Sequence, residues 1–209
     1  MFKKILVLSL IMSFIGLGSL NVNANELIIE DGENFCYEVD LRGTGITMDK
    51  IKQMSLGEYY RTIFPEAWDK FTEEEKEEYN SMPYPDDIEN RSSVNIGTYY
   101  LGVSTLQKTS KYVTAETTSM KKLLSTKPNA KSIKHSMIIA DEKGHGVAGQ
   151  ISSTSKNTQK YYTSLNKATS TFTKGKKYRA ETVHTISVPE GVNAITVSNT
   201  SRSAWMTIK

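Results

Sequence analysis

The densest basic group in the chain is Lys174, Lys176, Lys177 and Arg179, which fall within six residues. Cations this close, with no acid among them, can neutralise phosphates or carboxylates on a partner. Looser groups repeat the theme at Lys121/Lys122 and at Lys127/Lys131/Lys134. His135 lies between Ile133 and Met137, and His184 between Thr182 and Ile186. Both rings are therefore expected on inward strand faces, where neighbouring imidazoles could share a proton or a metal. No third ligand stands at a recognisable spacing, so neither a metal nor a cofactor is expected. His145, flanked by Gly144 and Gly146, reads as an exposed turn residue. Cys36 is the single cysteine and sits between Phe35 and Tyr37, as a small hydrophobe would. No basic neighbour lowers its pKa. Serines are abundant, but there is no Gly-x-Ser-x-Gly, no glycine-rich phosphate loop, and no carboxylate pair among Glu116, Asp141, Glu142, Glu181 and Glu190. The chain is accordingly expected to bind rather than catalyse.

The basic group rides on a stretch whose architecture is legible. A Lys174-Gly175-Lys176 turn precedes Tyr178, Ala180, Thr182, His184, Ile186 and Val188 at period two, as a strand with one buried face requires. Arg179, Glu181, Thr185 and Ser187 are then expected to face water, with Val183 the exception. Phe172, Gly175 and Tyr178 resemble the E–F corner of fibronectin type III and immunoglobulin-like sandwiches. There a tyrosine hydroxyl bonds to backbone a few residues upstream and pins the crossover between sheets. The resemblance implies structural roles for Phe172, Gly175 and Tyr178, and Ala180 stands where immunoglobulin domains carry a cysteine.

Lys3 and Lys4, the apolar run Ile5–Leu17 and Val22-Asn-Ala24 form a secretory signal peptide over 1–24, with cleavage expected before Asn25. Secretion without a possible intramolecular disulfide suits a Gram-positive bacterium and leaves the fold to hydrophobic packing. The net charge of +3 conceals a division. Residues 25–90 hold 18 acids and 6 bases, and residues 91–209 hold 5 acids and 18 bases. The acidic segment reads as mainly helical. Ser55-Leu-Gly-Glu58 and Thr72-Glu-Glu-Glu75 are capping boxes, Tyr59, Tyr60 and Ile63 form an apolar stripe, and Pro65 ends or restarts the first helix. The run Phe64–Lys76 resembles the second helix of HMG boxes, but its acidic surroundings cannot neutralise DNA phosphates. Trp68 is expected as a structural anchor, and no nucleic-acid partner is expected.

From Ser92 onward 35 of 118 residues are Ser or Thr, alternating with β-branched and aromatic residues, a composition that suits sheets with a wet face. Strands are predicted near 95–104, 111–118, 132–140, 146–153, 159–173, 177–188, 193–198 and 204–208. Eight short strands at this spacing predict a mainly β fold, an immunoglobulin/fibronectin III-like β-sandwich over 91–209 preceded by the short acidic helical segment 25–90. The whole pattern resembles uncharacterised small secreted proteins of Gram-positive bacteria, through Tyr59-Tyr60, Trp68, Glu74-Glu75-Lys76, Lys177-Tyr178-Arg179 and His184-Thr185. It implies no activity. The function expected is a secreted binding protein of the cell envelope, with an anionic wall polymer or membrane surface as partner. A secreted toxin or bacteriocin-like factor is the alternative, and an extracellular hydrolase the third reading. Opposite charges predict that segment 25–90 docks on the basic domain.

Overall fold

A computed structural model describes residues 34–86, 91–123, 125, 128–155, 158–190 and 193–209. The expected leader and its cleavage site lie outside them, as does Lys127. The chain is mainly β, with two antiparallel sheets in a sandwich-like arrangement and few helices. One sheet contains β1 (Phe35–Asp40), β6 (Gly146–Thr154), β5 (Ser132–Asp141) and β8 (Lys177–Glu190) in that spatial order, with β9 (Asn193–Arg202) and β10 (Met206–Thr207) both paired to β8. The other runs β2 (Ser93–Ile96), β3 (Tyr100–Lys108), β4 (Tyr112–Lys121) and β7 (Lys160–Ala168).

Between β1 and β2 lie four short helices: α1 (Met48–Ile51), α2 (Leu56–Ile63), α3 (Pro65–Trp68) and α4 (Glu73–Ser81). The two capping boxes form as their residue types dictate, Ser55 with Glu58 and Thr72 with Glu75, each satisfying otherwise unpaired amides. Pro65 stands at the first turn of α3, where its missing N–H costs nothing. The strand β1 precedes these helices and pairs with β6, from Phe35↔Ser153 to Asp40↔Ala148. Further on, the segment predicted as one strand over 95–104 is a β2–β3 hairpin, turned at Gly97, whose φ of 54° favours glycine.

Strand parity explains the layers. On β5, Met137 and Ile139 face the smaller sheet and pack with Val113, Ala115 and Leu165. Ser136, Ile138 and Ala140 face the opposite way, Ile138 and Ala140 packing with Tyr59, Tyr60 and Phe64 of the helical layer. A fully buried aromatic side chain contributes roughly 1.5–3 kcal/mol, and the buried side chains of this layer include Tyr59, Tyr60, Phe64, Phe71, Tyr79 and Tyr84. The Tyr59 hydroxyl bonds Ser136, and that of Tyr60 lies 3.0 Å from Thr185 Oγ1.

Here the solvent-facing expectation for β8 is overturned. Glu181 and Thr185 are each only 2% exposed. The helices cover this face, and Val183, apolar among polar neighbours, packs into the helical core. Burial of Glu181 is compensated by charge: its carboxylate meets Arg179 at 2.6 Å and Arg202 at 2.9 Å, while Arg202 also pairs with Asp86. Across the same layer Lys134 reaches Glu75 at 2.5 Å.

Candidate functional site

The basic group sits on a corner between the sheets. β7 belongs to the four-stranded sheet and β8 to the six-stranded one, so the chain crosses between them through the 3-10 turn Thr169–Thr171 and the Lys174-Gly175 turn. Gly175 adopts φ 86°, where a side chain would be strained. The Tyr178 hydroxyl accepts a hydrogen bond from the Thr173 N–H at 2.9 Å, and its ring meets Phe172 edge-on at 5.0 Å. The C-terminal tail braces the turn from outside: Gly175 N donates to Ile208 O, and Ile208 N to Lys176 O. On this frame Lys174 and Lys177 stand exposed. Lys176 is half-buried, 3.7 Å from Asp141, while Arg179 pairs with Glu181 and lies over the Trp205 ring at 4.5 Å. The four basic residues thus divide: two face solvent, and two contact acids.

Topology brings further lysines to the same end. β4 aligns Tyr112 with Ala168 of β7, and β5 aligns Asp141 with Tyr178 of β8. The β3–β4 hairpin, the β5–β6 hairpin, the corner and the tail therefore share one end of the sandwich. Lys108 Nζ donates to the Lys209 carbonyl at 3.1 Å, Thr169 N to Lys111 O at 2.8 Å, and Glu142 N to Lys177 O at 3.1 Å. Lys108, Lys111, Lys143 and Lys209 are all exposed there. Against these bases stand two acids of the β5–β6 turn. Burial raises the pKa of Asp141, but hydrogen bonds from His145 and Lys143 outweigh it and hold the carboxyl below its usual range. That carboxylate is occupied in closing the turn, with the amides of Lys143 and His145 both at 2.9 Å. Lys108, Lys111 and Lys209 are isolated in sequence from the corner, and only strand pairing could have revealed them.

The two histidines form a different kind of assembly. His135 and His184 are directly opposite on β5 and β8, their rings 5.1 Å apart between the sheets. Ser119 of β4 bridges them, 2.8 Å from His135 Nε2 and 2.9 Å from His184 Nδ1. The chain extends to Thr163 from His135 Nδ1 at 3.0 Å, and to Ser201 from His184 Nε2 at 2.7 Å. Ser201 then contacts Ser104 at 2.6 Å, and Ser104 donates to Thr182 at 2.9 Å. Each hydroxyl has one proton, so this last direction fixes the others. Ser201 donates to Ser104, His184 donates through Nε2, Ser119 donates to His184, His135 donates through Nε2, and Thr163 donates to His135. Burial pushes the His184 pKa down to about 3, and burial together with His184 pushes that of His135 well below its ordinary value. Gly102 makes room for the layer, since a Cβ there would stand 2.8 Å from the His184 ring. With every ring nitrogen engaged, the layer can orient the sheets but offers no open ligand position. Among the described residues no group of three His, Cys, Asp or Glu side chains could hold a metal.

Cys36 is half-buried on β1, its thiol pushed up to about 11 by burial and by Glu38. Trp68 packs partly buried on the helical core, edge-on to Phe71 at 5.8 Å. No helix of the described residues is long and apolar enough to cross a membrane. Comparison of the chain with protein-family models, with curated proteins and with solved structures gives no match.

Proposed function

We propose that the protein is a secreted, non-catalytic binding module of the bacterial cell envelope that takes an anionic partner at the loop end of its sandwich. The observation that carries this reading is the convergence of Lys108, Lys111, Lys143, Lys174, Lys176, Lys177 and Lys209, from four separate segments, on one end. Such a concentration exceeds what solubility asks of a small domain, and it raises the local concentration of a polyanion. The acidic helical segment complements the basic half elsewhere, meeting Lys134 and Arg202 through Glu75 and Asp86 and leaving Lys174 and Lys177 open. In this reading the segment docks and neutralises one face while the opposite charge remains available at the end.

The finer fold assignment is an immunoglobulin/fibronectin III-like sandwich. β4 and β7 pair as B and E do, β5, β8 and β9 pair as C, F and G, and β6 lies beside β5 as C′ does. The tyrosine at the start of β8 supports the same assignment, since its hydroxyl meets backbone five residues upstream across the inter-sheet corner.

The test is titration of the mature chain with soluble poly(glycerol phosphate) at low and at high ionic strength. Binding that weakens steeply with salt is expected. Absence of binding at low salt contradicts the proposal, and dye release from anionic vesicles supports the toxin reading instead.

A further inference from the structure

Three reactive groups from three strands meet at the open edge where the two sheets face each other. Lys167 of β7 points inward and brings Nζ to 2.6 Å from Glu38 Oε2 on β1. Gln150 of β6 donates from Nε2 to the other oxygen of the same carboxylate, Glu38 Oε1, at 3.4 Å, and to the Ser164 carbonyl at 3.1 Å. Two acceptors on that side fix which end of the amide is nitrogen. The opposite atom, Gln150 Oε1, is buried without a hydrogen-bond partner in a residue 5% exposed. Buried amide oxygens are ordinarily satisfied, and an orphaned one calls for an explanation.

We propose that Lys167 and Gln150 condense into an intramolecular isopeptide bond, with Glu38 as the catalytic proton carrier. One carboxylate touches both the attacking and the departing nitrogen. Glu38 takes a proton from Nζ through Oε2, and the freed amine attacks Cδ of Gln150. The protonated carboxyl then turns about its Cγ–Cδ bond and gives that same proton to Nε2 as the Cδ–Nε2 bond of Gln150 breaks. The products are a secondary amide between the two side chains and ammonia, which leaves as ammonium with the remaining proton that Lys167 brought. Nothing is oxidised or reduced, and no co-reactant is needed. Pairing of β1 with β6 sets Glu38 opposite Gln150, and the packing of the two sheets brings Lys167 to them, which replaces an encounter in solution by an intramolecular step. The bond would tie β6 of one sheet to β7 of the other, in a chain whose single cysteine allows no internal disulfide.

The experiment is intact-mass measurement of the denatured mature protein, followed by peptide mapping. The expected mass is that of the sequence less one ammonia, with a branched peptide joining the segments that contain Gln150 and Lys167. Lys167→Arg keeps the cation beside Glu38 and is expected to restore the full sequence mass. Glu38→Gln keeps both reactants and is expected to leave them unjoined. A wild-type mass equal to the sequence overturns the proposal, as does an ammonia loss that persists in Lys167→Arg, which marks cyclisation elsewhere in the chain. Full cross-linking in Glu38→Gln overturns the role given to that carboxylate.

Discussion

The Ser119 hydroxyl, held between two imidazoles, sets the terms at the level of single residues. His135 and His184 are neutral in the folded protein because burial disfavours their charged forms. In the unfolded chain they protonate at about pH 6.5. Below that pH the unfolded state binds more protons, so folding stability falls as pH falls, and continues to fall until the folded value, about 3 for His184, is passed. Urea midpoints between neutral pH and mildly acid pH are expected to drop, and His184→Gln, which cannot protonate, is expected to flatten the dependence. A midpoint independent of pH over that interval would remove the neutral-histidine account. The fit around the ring is equally specific. Gly102→Ala places a methyl 2.8 Å from His184, and overpacking of this kind costs about 1–3 kcal/mol. Tyr178→Phe deletes the acceptor of the Thr173 amide and is expected to cost about 1 kcal/mol by urea unfolding. An unchanged midpoint would mean that the corner does not depend on this bond.

Among elements, the helical layer and β8 are coupled through charge as well as aromatic packing. Glu181 lies between Arg179 and Arg202, and Arg202 continues to the partly exposed Asp86, so the buried Glu181 and Arg202 each meet opposite charge. Removing one partner of a buried pair strands the other, at a cost of about 3–5 kcal/mol. Glu181→Ala is therefore expected to lower thermal and urea stability by that order, and a loss of less than about 1 kcal/mol, the range of exposed pairs, would place this group in solvent. The same strand shows what local sequence can and cannot reveal. Period two on β8 correctly separates Tyr178, Ala180 and His184 from their alternates, because the inward face is the more apolar one. It is silent on whether the other face meets water or a further layer, and Glu181 and Thr185 look solvated only because their partners, Arg202 and Tyr60, lie far along the chain. Capping boxes are local chemistry, and both were legible. Strand β1 was not, since its six residues open a stretch whose strongest local signals are helix caps, and it becomes a strand through pairing with β6. The candidate site divides in the same way: the corner lysines stand together in the sequence, whereas Lys108, Lys111 and Lys209 join them through strand register.

For the molecule as a whole, the separation of charge along the chain becomes a separation in space. Two acids of residues 34–86 reach buried or half-buried bases of the later strands, Glu75 meeting Lys134 and Glu38 meeting Lys167. In this reading the bases left exposed at the loop end carry the affinity, and their exposure makes binding sensitive to screening by salt. The most direct measurement compares two charge-reversed variants of the full mature chain for poly(glycerol phosphate) binding at equal ionic strength. One reverses Lys108 and Lys111, on the loop end; the other reverses Lys131 and Lys160, exposed at the opposite end. Equal changes in net charge make the comparison one of position alone. Lys108→Glu/Lys111→Glu is expected to abolish binding, while Lys131→Glu/Lys160→Glu is expected only to weaken it. Equal losses in the two variants would contradict a localised site and leave attraction to overall charge as the whole effect.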